Sequence, residues 1–177
     1  MRYFIMEQDA EHNDAPNIIN WYGKLDVQKL KQARSWEIPD RVLLEIRENP
    51  DTIFTDVISK PFLLYSKKTK DAVSIYESGI VHKQISLLDD QNLLTELYYL
   101  PILKSVDCLS DKSELNTDKS IIRRAVLDKN KLPRRSIFAL DGLSSSYTVV
   151  RLDLAESLLR RGVRGVTFAK VEIDEGE

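Results

Sequence analysis

One cysteine, two histidines and no long apolar run mark this chain of 177 residues. A lone Cys108 cannot close an internal disulfide, and no cluster resembles a zinc quartet. Charge of a single sign is missing as well. With 26 Lys and Arg against 28 Asp and Glu, the formal net charge of -2 removes the whole-protein electrostatic argument for nucleic-acid binding. No segment approaches membrane-spanning length. The opening MRYFIMEQDAEHND turns acidic after too short an apolar run for a signal peptide. The expectation is a cytoplasmic protein with no membrane partner.

What is present is a globular balance. Hydrophobic residues at 42% and charged residues at 31% lie far from the disordered class, so the chain should fold unaided. Its length suits one domain, 1–177, with a core that needs neither disulfide nor metal.

The most organised stretch is Asp56–Leu88, which reads as turn, short strand, amphipathic helix and second strand. Asp141–Ile173 follows the same order. Superposed, Asp56 meets Asp141, Ser59 meets Ser144, Phe62 meets Tyr147, Leu64 meets Val149 and Tyr65 meets Val150, and each helix ends at a glycine, Gly79 or Gly162. Units 56–88 and 141–173 are therefore a candidate internal duplication. Strand–helix–strand units also share such residue types by chance.

Along the rest of the chain, Arg2–Glu7 reads as a strand with Tyr3 and Ile5 on one face and Phe4 and Met6 on the other, both covered. Asp9–Asn17 is loop. Asp26 can cap a helix carrying Val27, Leu30, Ala33 and Trp36 at helical spacing until Pro39. Trp21, Tyr22 and Trp36 either anchor this N-terminal arm, residues 1–51, onto a sheet or form an exposed aromatic patch. Arg41–Ile46 reads as strand before a turn at Asn49-Pro50-Asp51. Ser66 is the N-cap of the first unit's helix, and Gly79 is expected to close it at positive φ. Pro101 confines the Leu97–Leu100 strand to an edge, a bulge or a strand start, and Ile102–Leu109 is apolar enough for another strand. Ile121–Leu127 and Ser136–Leu140 suggest an antiparallel hairpin. Leu154, Leu158 and Leu159 mark the buried face of the last helix. The mixture implies an α+β fold with mixed or mostly antiparallel sheets and a few helices.

Chemistry-bearing residues are few. Cys108, His82 and Asp107 are the residue types of a Cys–His–acid site, but no protease signature surrounds Cys108, and Asp107 should leave a strand on the opposite face. A buried structural cysteine is the better expectation. His12 with Glu11 and Asp14 lacks a second histidine at ligand spacing. Asp141-Gly142-Leu143-Ser144 lacks the glycine density and the lysine of a phosphate loop. Arg123-Arg124, Arg134-Arg135 and Arg160-Arg161, with Arg164, would contact phosphates or an acidic protein only if they converged on one surface.

The succession YYLPILKSVDCLSDKSE, followed by SIFALDG and VVRLDLAESLLRRGVRGVTF, resembles bacterial polymorphic-toxin immunity proteins of family eleven, with family forty-three as a sibling. The matching positions are Tyr98, Tyr99, Val106, Asp107, Cys108, Leu109 and Ser113, then Leu154, Gly162, Gly165, Val166 and Phe168. The likeness runs from about Thr52 to Ile173, within an immunity-like region 52–177, and departs from the pattern at Ser110 and Arg151. It implies a non-enzymatic, cofactor-free protein whose partner is a cognate toxin neutralised by direct binding. On that implication, acids in two turns, Asp89-Asp90 and Asp107, Asp111, Glu114 and Asp118, are candidate contacts for a basic toxin, with Tyr98 or Tyr99 as aromatic anchors. Polar turns that merely solubilise the domain carry the same residues.

Overall fold

A computed structural model describes residues 1–31 and 33–176, and two sheets form its framework. The first has five strands in the order β14 (Val166–Lys170), β1 (Tyr3–Gln8), β13 (Thr148–Arg151), β12 (Ile137–Leu140) and β8 (Ser105–Val106). The second has six, in the order β2 (Ile18–Ile19), β3 (Arg41–Ile46), β6 (His82–Asp89), β7 (Leu94–Pro101), β5 (Leu64–Tyr65) and β4 (Val57–Ile58). Two small ribbons complete the set. In one, β9 (Glu114–Leu115) runs antiparallel to β10 (Ile122–Arg124); in the other, β11 (Val126–Asp128) runs parallel to β15 (Glu172–Asp174). Parallel pairs β3–β6 and β8–β12 within otherwise antiparallel sheets make the fold α+β.

Alternation along β1 explains how the layers stack. Tyr3 and Ile5 enter one apolar cluster with Phe138 and Val149, while Met6 enters another, with Phe4 packed against it. That second cluster is shared between the sheets: Val57 and Tyr65 meet Met6 and Val150 there. Helices α2 (Lys67–Tyr76) and α3 (Leu152–Arg160) bury Ala72, Val73, Leu154 and Leu158 in the same core. The outer face of the six-stranded sheet carries Leu44, Ile85, Leu87 and Tyr98 and is covered by the N-terminal arm through Ile18, Leu25 and Ile38. The outer face of the five-stranded sheet is covered by the chain around Cys108 and Leu127.

Segments 56–88 and 141–173 share a topology. In each, a strand (β5, β13) leads into a helix after pairing antiparallel with the strand before it (β4 within the first segment, β12 just ahead of the second), and the strand after the helix lies one strand away from the strand that leads in. The intervening strand is β7 in one sheet and β1 in the other. Tyr65 and Val150 both face the shared core, while Leu64 and Val149 face the outer ones. The turns differ. Asp56 accepts hydrogen bonds from Ser66 Oγ at 2.6 Å and Arg164 N at 2.8 Å, with Lys68 Nζ at 3.1 Å, and so ties the start of α2 to the loop after α3. Asp141 accepts from its own neighbour, Gly142 N.

Several expected elements are replaced. Ile121–Leu127 and Ser136–Leu140 form no hairpin with each other: β10 pairs with β9, β11 with β15, and β12 with β13 and β8. Of Ile102–Leu109, only Ser105–Val106 is strand. Pro101 ends β7 opposite His82, within an inner strand of the sheet, where its missing N–H falls at the strand terminus. The N-terminal helix is α1 (Val27–Lys31), and Ala33 takes φ +52°. Gly162 adopts φ +66°, but Gly79 has no positive φ, because α2 closes earlier, through Glu77 N bonded to Val73 O. Leu159 is 56% exposed rather than on the buried face of α3.

Candidate functional site

Strand alternation divides the two tyrosines. On β7, Tyr98 points into the outer core, 1% exposed, and donates its hydroxyl to Thr55 O at 2.6 Å; burial pushes its pKa up. Tyr99 points the other way, half-buried beneath α2, with Lys70 Nζ 5.0 Å from its ring centre. Tyr98 is thus a core residue and no surface anchor, a correction that follows from its facing the covered side of the sheet.

Asp89 and Asp90 differ as well, because Asp89 ends β6 on its covered face and Asp90 begins the turn. Asp89 is 2% exposed and accepts from Asn49 N at 3.0 Å, Asn92 N at 3.1 Å and Asn92 Nδ2 at 2.7 Å, bonds that hold its carboxyl below the usual range. It organises the β6–β7 turn and offers a partner nothing. Asp90 is exposed. Asp107, Asp111, Glu114 and Asp118 are also exposed, on the flank of the five-stranded sheet. Asp118 accepts from Ser120 N and Oγ, and Glu114 lies 3.8 Å from Arg124. The two acidic turns belong to different sheets, and the fold does not join them.

A different grouping is built instead, with Asn49 at its centre. Its backbone N–H donates to Asp89, its side-chain amide to Asp14 Oδ1 at 3.3 Å, and its own Oδ1 accepts from Asp51 N at 2.9 Å. Ile53 N donates to Asp14 O. Loops 9–14, 48–53 and 89–93 are thereby gathered on one face bearing exposed Glu11, Asp14, Glu48, Asp51 and Asp90. Two apolar side chains stand among them, Ile53 at 55% and Leu93 at 83% exposed. Each loop is legible as polar turn in the sequence, but separations of 35 and 40 residues conceal that Asn49 joins them.

The Cys–His–acid residue types do not assemble. Cys108 is buried among Tyr3, Ile5 and Phe138, and burial, then the neighbouring Asp107, pushes its thiol up to about 12. His82 borders the other core, with Nε2 2.6 Å from Tyr65 Oη. Burial, then Lys70, lowers the imidazole to about 4, so the folded ring is neutral and accepts the tyrosine hydroxyl. A histidine depressed in the folded state contributes stability above the ordinary value near 6.5 and loses it as pH falls towards 4. Between pH 7 and 4, the wild type should therefore lose roughly 1–2 kcal/mol more than His82→Gln, after allowance for a half-buried ring. Urea midpoints of both proteins across that range measure it; parallel curves would remove His82 from the acid response.

His12 Nδ1 lies 3.3 Å from Asp9 Oδ2, and no group of three metal-ligating side chains forms among the described residues. Asp141–Ser144 is a turn with Gly142 at φ +75°, and Ser144 Oγ donates to Asp118 O. Of the arginines, Arg124 binds Glu172 through two bonds of 2.9 and 2.6 Å, Arg160 lies 3.3 Å from Glu156, and Arg135 lies 3.8 Å from Glu77. Local carboxylates thus neutralise one member of each doublet. Of Trp21, Tyr22 and Trp36, Trp21 is the anchor: it meets Phe62 edge-on at 5.8 Å and carries Tyr22 stacked at 4.0 Å. Tyr22 and Trp36 are 77% and 78% exposed. No helix among the described residues is long and apolar enough to cross a membrane. No family model, curated protein or solved structure matches the chain.

Proposed function

We propose that this protein is a cytoplasmic immunity protein that binds a cognate bacterial toxin domain and blocks it by occlusion, with no chemistry of its own. The observation that carries this reading is the three-loop acidic face, whose loops bear exposed carboxylates together with exposed Ile53 and Leu93. Complementary charge would speed encounter with a basic partner, and the apolar pair would supply contacts that hold it. The family resemblance over residues 52–177 points to the same class. Asp107, Asp111, Glu114 and Asp118 form a second candidate contact region. An interface of standard size, about 800 Å² per partner, fits a domain of this size.

The test is co-expression with the toxin domain encoded beside this gene. Rescue from that toxin and not from unrelated ones is the expected result. Absence of both rescue and co-purification overturns the proposal.

A further inference from the structure

Where β1 and β13 run past the shared core, a cleft of about 730 Å³ opens between the β4–β5 loop, the β12–β13 loop and the N-terminal arm. Met6 and Thr148 are register partners on its floor, and continuing that antiparallel register sets Gln8 opposite Ser146 on the same face. Thr148 is 7% exposed, yet its hydroxyl has no hydrogen-bond partner among the described residues, and neither do the side chains of Gln8, Ser145 and Ser146. The Thr148 hydroxyl is also not sealed from solvent, and Thr148 lines both this cleft and a smaller one of about 60 Å³ beside Leu100 and Leu140. Trp21, with Tyr22 stacked on its ring at 4.0 Å, lines one wall. Glu7 and Lys60 are the charged residues of the lining, neither of them in an ion pair among the described residues, so its formal charge sums to zero.

These free groups share one property: a hydroxyl and a primary amide each donate and accept. They match a ligand whose own groups also do both, while the indole wall suits the C–H face of a ring. A ligand with a single sign of charge would meet one like charge whichever its sign, Glu7 for an anion and Lys60 for a cation. The volume lies within the range of small-molecule sites. We infer that this cleft binds a neutral, polyhydroxylated ring, a mono- or disaccharide. The inference is independent of the toxin-binding face, and either can fail alone.

The protein's two tryptophans make the test direct. With the exposed Trp36 replaced in Trp36→Phe, the remaining emission comes from Trp21 in the cleft. Glucose, galactose, N-acetylglucosamine and cellobiose are titrated, with glycine and inorganic phosphate as zwitterionic and anionic comparisons. At least one saccharide should give a saturable change with a Kd of roughly 1 mM. Thr148→Val, nearly isosteric, should weaken it about tenfold by removing one buried hydrogen bond. Ser146→Ala provides the same reading if the valine variant folds poorly. The inference is overturned by no saturable response up to about 50 mM, by a response that neither variant alters, or by saturation with phosphate or glycine and no saccharide.

Discussion

Gly165→Ala is expected to destabilise the fold by about 3 kcal/mol, the sum of two costs. Gly165 holds φ +72°, where an L side chain loses roughly 1–2 kcal/mol. An added Cβ would also lie 2.5 Å from Thr55 Cβ and 2.6 Å from Thr55 Cγ2. Overpacking of this kind costs about 1–3 kcal/mol. Thr55 cannot step aside: it is 3% exposed, its hydroxyl donates to Val57 O, and its carbonyl accepts from Tyr98. Gly165 in turn must stay close, because its carbonyl accepts Asp9 N and the preceding Arg164 is tied to Asp56 through both backbone groups. For a chain of this length the loss corresponds to a thermal midpoint lower by roughly 6–12 °C. Gly142→Ala is the internal control. Its φ of +75° is equally unfavourable, but nothing lies within 4 Å of the added carbon. Equal losses at the two glycines would show that the contact with Thr55 contributes nothing.

Which features the sequence reveals depends on how local their cause is. Arg41–Ile46 and the Ser66 cap are recoverable because alternation, and a serine placed before a helix, act within a few residues. Pairing is another matter. Val126–Asp128 looks like half of a hairpin, but its partner is Glu172–Asp174, and nothing in a three-residue apolar pattern encodes a parallel partner so far along the chain. The N-terminal helix fails for a related reason. Val27, Leu30, Ala33 and Trp36 have helical spacing, but Ala33 turns left-handed, and the break leaves Trp36 in solvent. Alanine is the residue least expected to do that.

The candidate site divides along the same line. Turns rich in aspartate predict exposure, and Asp90, Asp107, Asp111, Glu114 and Asp118 are exposed. Choosing between adjacent residues requires knowing which face of the sheet is covered. Asp89 and Tyr98 point towards the side covered by the N-terminal arm and its loops; Asp90 and Tyr99 do not. The arm lies outside the stretch that carries the family resemblance, and it is the part that decides both assignments.

Reversing charge on the three-loop face is expected to have the largest effect on function. The triple variant Glu11→Lys, Asp51→Lys, Asp90→Lys changes exposed residues whose side chains hold none of the bonds around Asn49, so its stability should stay within about 1 kcal/mol of wild type. If the cognate domain is basic, its association rate should fall roughly 100-fold at low salt. Because a Debye length of about 3 Å at 1 M salt screens such steering, the two rates should converge there. Dissociation should respond instead to Ile53→Ala and Leu93→Ala, since apolar contacts govern how long a complex persists. Stopped-flow mixing with the toxin domain separates the two rates. The companion triple Asp107→Lys, Asp111→Lys, Asp118→Lys makes the same change in formal charge on the other flank, and so controls for net charge. A slowed association confined to the companion would move the interface to the five-stranded sheet. Equal slowing by both would mean that overall charge, and no particular face, steers the encounter; no slowing by either would remove electrostatic steering from the mechanism.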